Sequence, residues 1–192
     1  MIKKREIYLI LDNIRSRENI GSIFRTADGA GVKKIYLCGI TPAPSAESSK
    51  FQISSSKQIR NSTFVLSLGR GKFEIQNSDK IHKTALGAEN YVSWEYRAQT
   101  WKVLRELKVE SVKLKVIGLE KTKNSKDIFK YKFPENKKIV LVVGNEVKGL
   151  SPKILKYCDK VAHIPMYGKK ESLNVSVAAG IGLYAIISKI KN

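Results

Sequence analysis

The chain has 192 residues, of which 42% are hydrophobic, with 36 Lys and Arg against 17 Asp and Glu and a net charge of +19. The hydrophobic share supports a packed core and excludes wholesale disorder, while no apolar run reaches the roughly 18 residues that read as a membrane span, so no membrane partner is expected. The cationic excess predicts a polyanionic partner, with nucleic acid favoured over a merely solvated basic surface.

The first segment, MIKKREIYLILDN, places charges before a short apolar run. Asp12 ends that run too early for a signal peptide, and no small-residue cleavage site follows. Glu6 to Asp12 reads as a buried strand. Asn19 to Gly31 reads as a helix with Ile20, Ile23, Phe24, Ala27 and Ala30 on one side. KKIYLCG is a second strand. From Thr41 to about Asp79 the chain turns to Pro, Ser, Lys and Gln, with short β-like pieces at FQIS and TFVLSL. This stretch, centred on 45–79, is read as an inserted excursion, too short for a core of its own, in a single domain over 1–192.

Order then returns. KIHKTALGAE reads as helix, YVSWEY as strand, and AQTWKVLRELK as an amphipathic helix with Trp101, Leu104 and Leu107 inward. Leu114 to Glu120 and Lys138 to Gly144 are continuous apolar strands of the parallel-sheet kind. SPKILKYC is a short helix, capped by Ser151 with Pro152 at its first position. KVAHIPM is a last strand and Asn174 to Lys189 a last helix. Strands alternate with helices throughout, so the expected class is α/β with a mainly parallel sheet flanked by helices. The two cysteines, Cys38 and Cys158, lie too far apart for a metal-site spacing and read as reduced thiols of a cytoplasmic protein. His82 and His163 are isolated and read as structural, so no metal is expected.

Three stretches invite chemistry. Asn19, Ser22 and Arg25 are spaced by three on one helix face. That pattern fits a capped, solvated helix surface, and equally a phosphate site near a helix start. GNEVKGLS, Gly144 to Ser151, has the Gly-x-x-x-x-Gly spacing of a phosphate-binding loop, but Leu150 stands where the lysine belongs, which excludes ATP or GTP gripped in that way. Its glutamate follows a strand end among glycines, where open α/β sheets bind ligands, although an ordinary tight loop would look the same. Last, KKESLNVSVAAG dresses the mouth of an apolar helix with Ser172, Asn174 and Ser176, of which capping explains one at most. That helix is apolar nearly all round, so it is expected to be buried on two sides, one of them against a second copy. Gly180 and Gly182 would allow helices to approach closely.

Taken in order, NIRSRENIGSIFRTADGAGV, IVLVVGNEVKGLSPKILKYCD and VAHIPMYGKKESLNVSVAAGIGLYAI resemble the three signature motifs of the SpoU/TrmH family of RNA ribose 2′-O-methyltransferases, in the SPOUT superfamily. KTALGAE also resembles the family's linking segment, and the likeness spans the chain except about Ser45 to Asp79. It implies a C-terminal deep trefoil knot. It implies S-adenosylmethionine held by loops around Leu119 to Thr122, Gly144 to Gly149 and Ile164 to Asn174. The cofactor contacts it suggests are Leu119, Glu120, Gly144, Asn145, Gly149, Ile164, Met166, Ser172 and Leu173. It implies a homodimer through the last helix and structured RNA, tRNA or rRNA, as the substrate.

By the same match, Arg25 is the proposed catalytic residue, supported by Asn19, with Glu146, Ser172 and Asn174 completing the set. A guanidinium, with a pKa above about 12, is a poor base, so a clamp on phosphate and developing alkoxide is preferred over transient deprotonation. Many relatives carry an RNA-binding domain before the first motif. Here that motif starts within about a dozen residues of Met1, so the core and the excursion, with Lys50, Lys57, Arg60, Arg70 and Lys72, are expected to contact RNA. A noncatalytic RNA-binding dimer with the same fold is the alternative function.

Overall fold

A computed structural model describes residues 6–44, 65–67, 72–74, 79–134 and 138–190. The elements are β1 (Ile7–Asp12), α1 (Arg17–Gly29), β2 (Lys34–Cys38), β3 (Val65–Ser67), β4 (Lys72–Glu74), α2 (Asp79–Ala85), β5 (Ser93–Arg97) and α3 (Thr100–Glu110). They continue with β6 (Leu114–Leu119), β7 (Lys126–Asp127), β8 (Lys138–Val143), α4 (Pro152–Leu155), β9 (Lys160–His163) and α5 (Val175–Ile190). Seven strands form one sheet in the order β5-β2-β1-β8-β6-β9-β7, and every pairing in it is parallel.

The central strands β1, β8 and β6 are hydrophobic apart from Asp12, Lys138 and Lys115, because both faces of the sheet are covered. Alternation then divides their side chains. Ile7, Leu9, Leu11, Ile35, Leu37, Ile139, Leu141 and Val143 join α1, α2 and α5 in one core. Tyr8, Ile10, Tyr36, Cys38, Val116, Val140 and Val142 join α3 and α4 in the other. The period of two in the strands and of 3.6 in the helices thus yields a three-layer sandwich.

Several boundaries differ from the sequence reading. The last strand stops at His163, because Pro165 has no N–H to continue the ladder. α1 starts at Arg17 under a Ser16 cap, whose hydroxyl accepts from the Asn19 N–H, so Asn19 is not the capping residue and its amide is free for other work. On α3 the buried positions are Thr100, Val103, Leu104 and Leu107, with Trp101 only half-buried. The short strand β7 carried no signal in the sequence. Its two residues lie at the sheet edge beside β9, ahead of a single 3₁₀ turn, Ile128–Lys130.

The two glycines of α5 make their close approaches within the chain. A Cβ on Gly180 would sit 3.3 Å from Thr26 of α1, and one on Gly182 would sit 3.1 Å from Leu141 of the sheet. In the excursion, β3 and β4 pair antiparallel, while residues 45–64, which include FQIS, 68–71, which hold GRGK except Lys72, and 75–78 lie outside the described residues.

Candidate active site

The carboxyl ends of β1, β2, β6, β8 and β9 share one side of the sheet, and the loops leaving them are stitched together. Asn13, at φ 59°, turns the chain after β1. Its side-chain oxygen accepts from the Ile40 N–H at 3.2 Å, and its backbone carbonyl accepts from the Asn145 amide at 2.7 Å. The fully buried Thr41 hydroxyl sits between the carbonyls of Leu11 and Cys38 and accepts from the Ile14 N–H at 3.0 Å. Asn145 folds its own loop as well, its side-chain oxygen accepting from the N–H groups of Val147 and Lys148, each at 3.0 Å. Asn-type residues at turns act through such local bonds.

Glu146 ties the second motif to the first. Its carboxylate accepts from the N–H of Ser16 at 3.0 Å, from that of Arg15 at 3.1 Å, and from the Asn19 amide at 3.4 Å. Burial pushes the Glu146 carboxyl up, but these N–H donors together hold it below the usual carboxylate value. The Asn19 oxygen in turn accepts from the Asn174 amide at 3.0 Å. Asn174 caps α5, its oxygen accepting from the Ser176 N–H at 2.9 Å and from the Ser176 hydroxyl at 2.6 Å. Residues 19, 146 and 174, one from each motif, therefore form one hydrogen-bonded chain.

A second carboxylate organises the other rim. Glu120 accepts from the Leu150 N–H at 2.7 Å and from the Lys121 N–H at 3.0 Å. This arrangement requires glycine at 149, which has φ +61° and where a Cβ would fall on the Glu120 carboxylate. Gly144 is required for space, since a Cβ there would lie 2.5 Å from the Gly149 backbone.

Between these loops lies a cavity of about 200 Å³. All nine expected cofactor contacts, Leu119, Glu120, Gly144, Asn145, Gly149, Ile164, Met166, Ser172 and Leu173, line it, together with Glu146. Its walls are apolar at Leu119, Val143, Ile164, Met166, Leu173 and Val175, and it carries three carboxylates, Glu120, Glu146 and Glu171. An apolar slot with backbone-exposing glycines and several anions fits a nucleoside-like ligand bearing positive charge.

Asn19 and Asn174 stand beside the cavity through Glu146, without lining it. Arg25 is exposed two turns along α1 from Asn19, neither lines the cavity nor bonds to another described residue, and so is not brought to the others within one chain. His163, read from the sequence as structural, stands at the site as well. It lines the cavity, with its Nδ1 3.0 Å from the Ser125 hydroxyl, and its place at the end of β9 was the available signal. His82 instead meets the buried Glu89 at 2.6 Å, away from this site.

The family model that matches this chain, over residues 62–184, is that of the SpoU rRNA methylase family. The chain belongs to that family. The tRNA (guanosine(18)-2′-O)-methyltransferase of Aquifex aeolicus is 30% identical over 186 residues, covering 95% of this chain and 69% of the relative. The 23S rRNA (guanosine-2′-O-)-methyltransferase RlmB of Neisseria meningitidis is 30% identical over 177 residues, covering 92% of this chain and only 56% of the relative. The chain thus spans little more than half the length of some of the family members it matches. Among solved structures, the SpoU methyltransferase AviRb of Streptomyces viridochromogenes, in complex with the cofactor AdoMet, superposes with a TM-score of 0.71. It covers 100% of this chain and 63% of its own at 20% identity, a likeness of fold.

Proposed function

We propose that this chain transfers a methyl group from S-adenosylmethionine to a ribose 2′-hydroxyl of structured RNA, either tRNA or rRNA. The observation that carries this reading is the convergence of three separated motifs, through Asn19, Glu146 and Asn174, on one glycine-lined cavity. It is supported by relatives named as RNA 2′-O-methyltransferases and by a family structure with AdoMet bound. The net charge of +19 suits an RNA substrate.

S-adenosylmethionine, when bound, supplies a methyl already activated on a sulfonium. Leu119, Ile164, Met166 and Leu173 bury the apolar part of such a ligand, and the loops at Gly144 and Gly149 let backbone approach it closely. Glu120, Glu146 and Glu171 favour its positive charge. Ser172 is exposed on the cavity lining. Arg25 serves as a guanidinium clamp on the phosphate beside the reacting ribose and stabilises the alkoxide that forms as the 2′-hydroxyl passes its proton to solvent water.

A second chain would be needed to bring Arg25 to a cavity. Thr26 abuts Gly180 of α5, so Arg25 borders the seam between α1 and α5. On the outer side of α5, Val177 is 49% and Tyr184 52% exposed, an apolar face that would be covered in a homodimer built on this helix. A deep trefoil knot also fits the strand order. β9 lies between β6 and β7, two strands consecutive in sequence, so the 120–125 connection must cross the end of β9 as the later chain leaves for α5. No helix among the described residues is long and apolar enough to cross a membrane. Cys38 and Cys158 are unpaired thiols that burial raises to about 12, which fits work in the reducing cytoplasm.

Incubation with methyl-labelled donor and total tRNA or rRNA, followed by digestion to nucleosides, tests the proposal. A labelled 2′-O-methylnucleoside is expected. Label-free RNA from a protein that binds both donor and RNA would replace the enzyme with the noncatalytic RNA-binding dimer.

A further inference from the structure

On the face of the sheet opposite α1 and α5, one aromatic ring collects an unusual number of cations. Trp101 opens α3 and is only half-buried. The Lys153 ammonium lies 4.4 Å from its ring centroid, the Arg105 guanidinium 5.5 Å and the Lys102 ammonium 5.7 Å. Tyr157 stands beside it, with ring centroids 6.5 Å apart. All three cations are exposed, and none forms an ion pair with a described residue. Other cations nearby in the chain are neutralised, Lys108 of α3 by Asp159 and Arg97 at the end of β5 by Glu95 and Glu106. The first turn of α3 holds no acidic residue, and Lys156, three residues after Lys153, adds another exposed cation.

Three like charges around one ring repel one another. Cation–π contact returns only about 0.5–1 kcal/mol at an exposed site. The arrangement therefore lacks an anion, and the anion must be extended enough to meet several cations and flat enough to use the ring. A nucleic acid strand has both properties, since its phosphates pair with Lys and Arg and any base can stack on an aromatic face. An acidic protein surface would satisfy the charges but leave the half-buried Trp101 ring unused.

We infer that Trp101, Lys102, Arg105 and Lys153 form a second RNA-contacting surface, in which a base stacks on Trp101 while the three cations swing onto flanking phosphates. This rests on the proposed RNA substrate and adds a place where the RNA is held away from the reacting ribose. The two places are mechanically joined. Gly149 lines the cavity and Lys153 is four residues later, so their Cα atoms are at most about 15 Å apart. Between them the Leu150 N–H is fixed to the Glu120 carboxylate at 2.7 Å. One structured RNA can therefore span cavity and patch, and the patch gives the core domain a grip of its own.

The test is fluorescence-anisotropy titration of end-labelled tRNA and 23S rRNA-fragment transcripts, over a salt series, against the wild-type chain and K102A/R105A/K153A. Removal of three exposed cations should weaken binding at least tenfold near 0.1 M salt and flatten the log–log salt slope by about 2. Affinity for S-adenosylmethionine and the melting temperature should be unchanged. Trp101→Leu, which keeps the charges, should weaken binding about tenfold with little change in slope. Wild-type affinity and slope in the triple variant would overturn the inference. Weakening by the triple variant with none by Trp101→Leu would overturn the stacking part. Failure of the underlying reading looks different, as a wild-type chain that binds these RNAs and never methylates them.

Discussion

Gly149→Ala puts a methyl group where the backbone has φ +61° and where the Glu120 carboxylate already stands. Two costs follow. An L-residue in the left-handed region costs about 1–2 kcal/mol. The methyl also drives the Glu120 carboxylate off the Leu150 N–H, which it meets at 2.7 Å. A hydrogen bond to a charged group is worth about 1.5–3 kcal/mol, and partial exposure of Glu120 reduces this to about 1–2 kcal/mol. The sum is about 2–4 kcal/mol, which for a chain of this size lowers the melting temperature by roughly 5–15 °C. A double-mutant cycle with Glu120→Ala separates the two costs. In that background only the backbone strain remains, so Gly149→Ala should cost about 1–2 kcal/mol by urea denaturation. Equal cost in both backgrounds would refute the claim that glycine is held here by the carboxylate.

The clamp role of Arg25 predicts that Arg25→Lys keeps measurable methyl transfer while Arg25→Ala loses about two to three orders of magnitude in kcat. Equal loss in both, with RNA binding intact, would contradict a simple charge role. The Glu146 carboxyl titrates below its unfolded value of 4.5, so its stabilising contribution is complete above that pH and is lost as pH falls through the depressed value. The melting-temperature gap between wild type and Glu146→Gln should therefore be widest near pH 6–7 and shrink towards pH 3, as read by calorimetry at a series of pH values. Val177→Asp, at a position 49% exposed in one chain, should leave the fold intact but yield monomers in analytical ultracentrifugation. An undisturbed dimer would move the interface off α5.

Much of the sheet was legible because burial on both faces makes residues 7–11 of β1 and 139–143 of β8 read as unbroken apolar runs, with β6 interrupted only at Lys115. α1 was legible through the buried stripe Ile20, Ile23, Phe24 and Ala27. The cavity loops were legible through the likeness of the three motifs to the SpoU/TrmH family, and two of their glycines, Gly144 and Gly149, prove to be sterically required. What was illegible depends on long-range geometry. The two residues of β7 are too few for any period to register, and their pairing with β9 is settled by the path of the chain. Asn19 looked like a cap because Asn commonly caps, yet Ser16 took that role and Asn19 was left to bridge Glu146 and Asn174, partners 127 and 155 residues away. Trp101 read as core because it falls on the apolar stripe of α3, whereas a first-turn position at the rim left its ring to cations of α3 and α4.

Methyl transfer by this chain requires that this cavity hold the methyl donor. Calorimetric titration of S-adenosylmethionine into wild type and into Ala178→Trp, which places a large ring at a cavity-lining position of α5, asks that directly. Saturable binding at one site per chain, lost in the variant while its circular dichroism is unchanged, is the predicted result. No binding to the wild type, or undiminished binding to the variant, would contradict it.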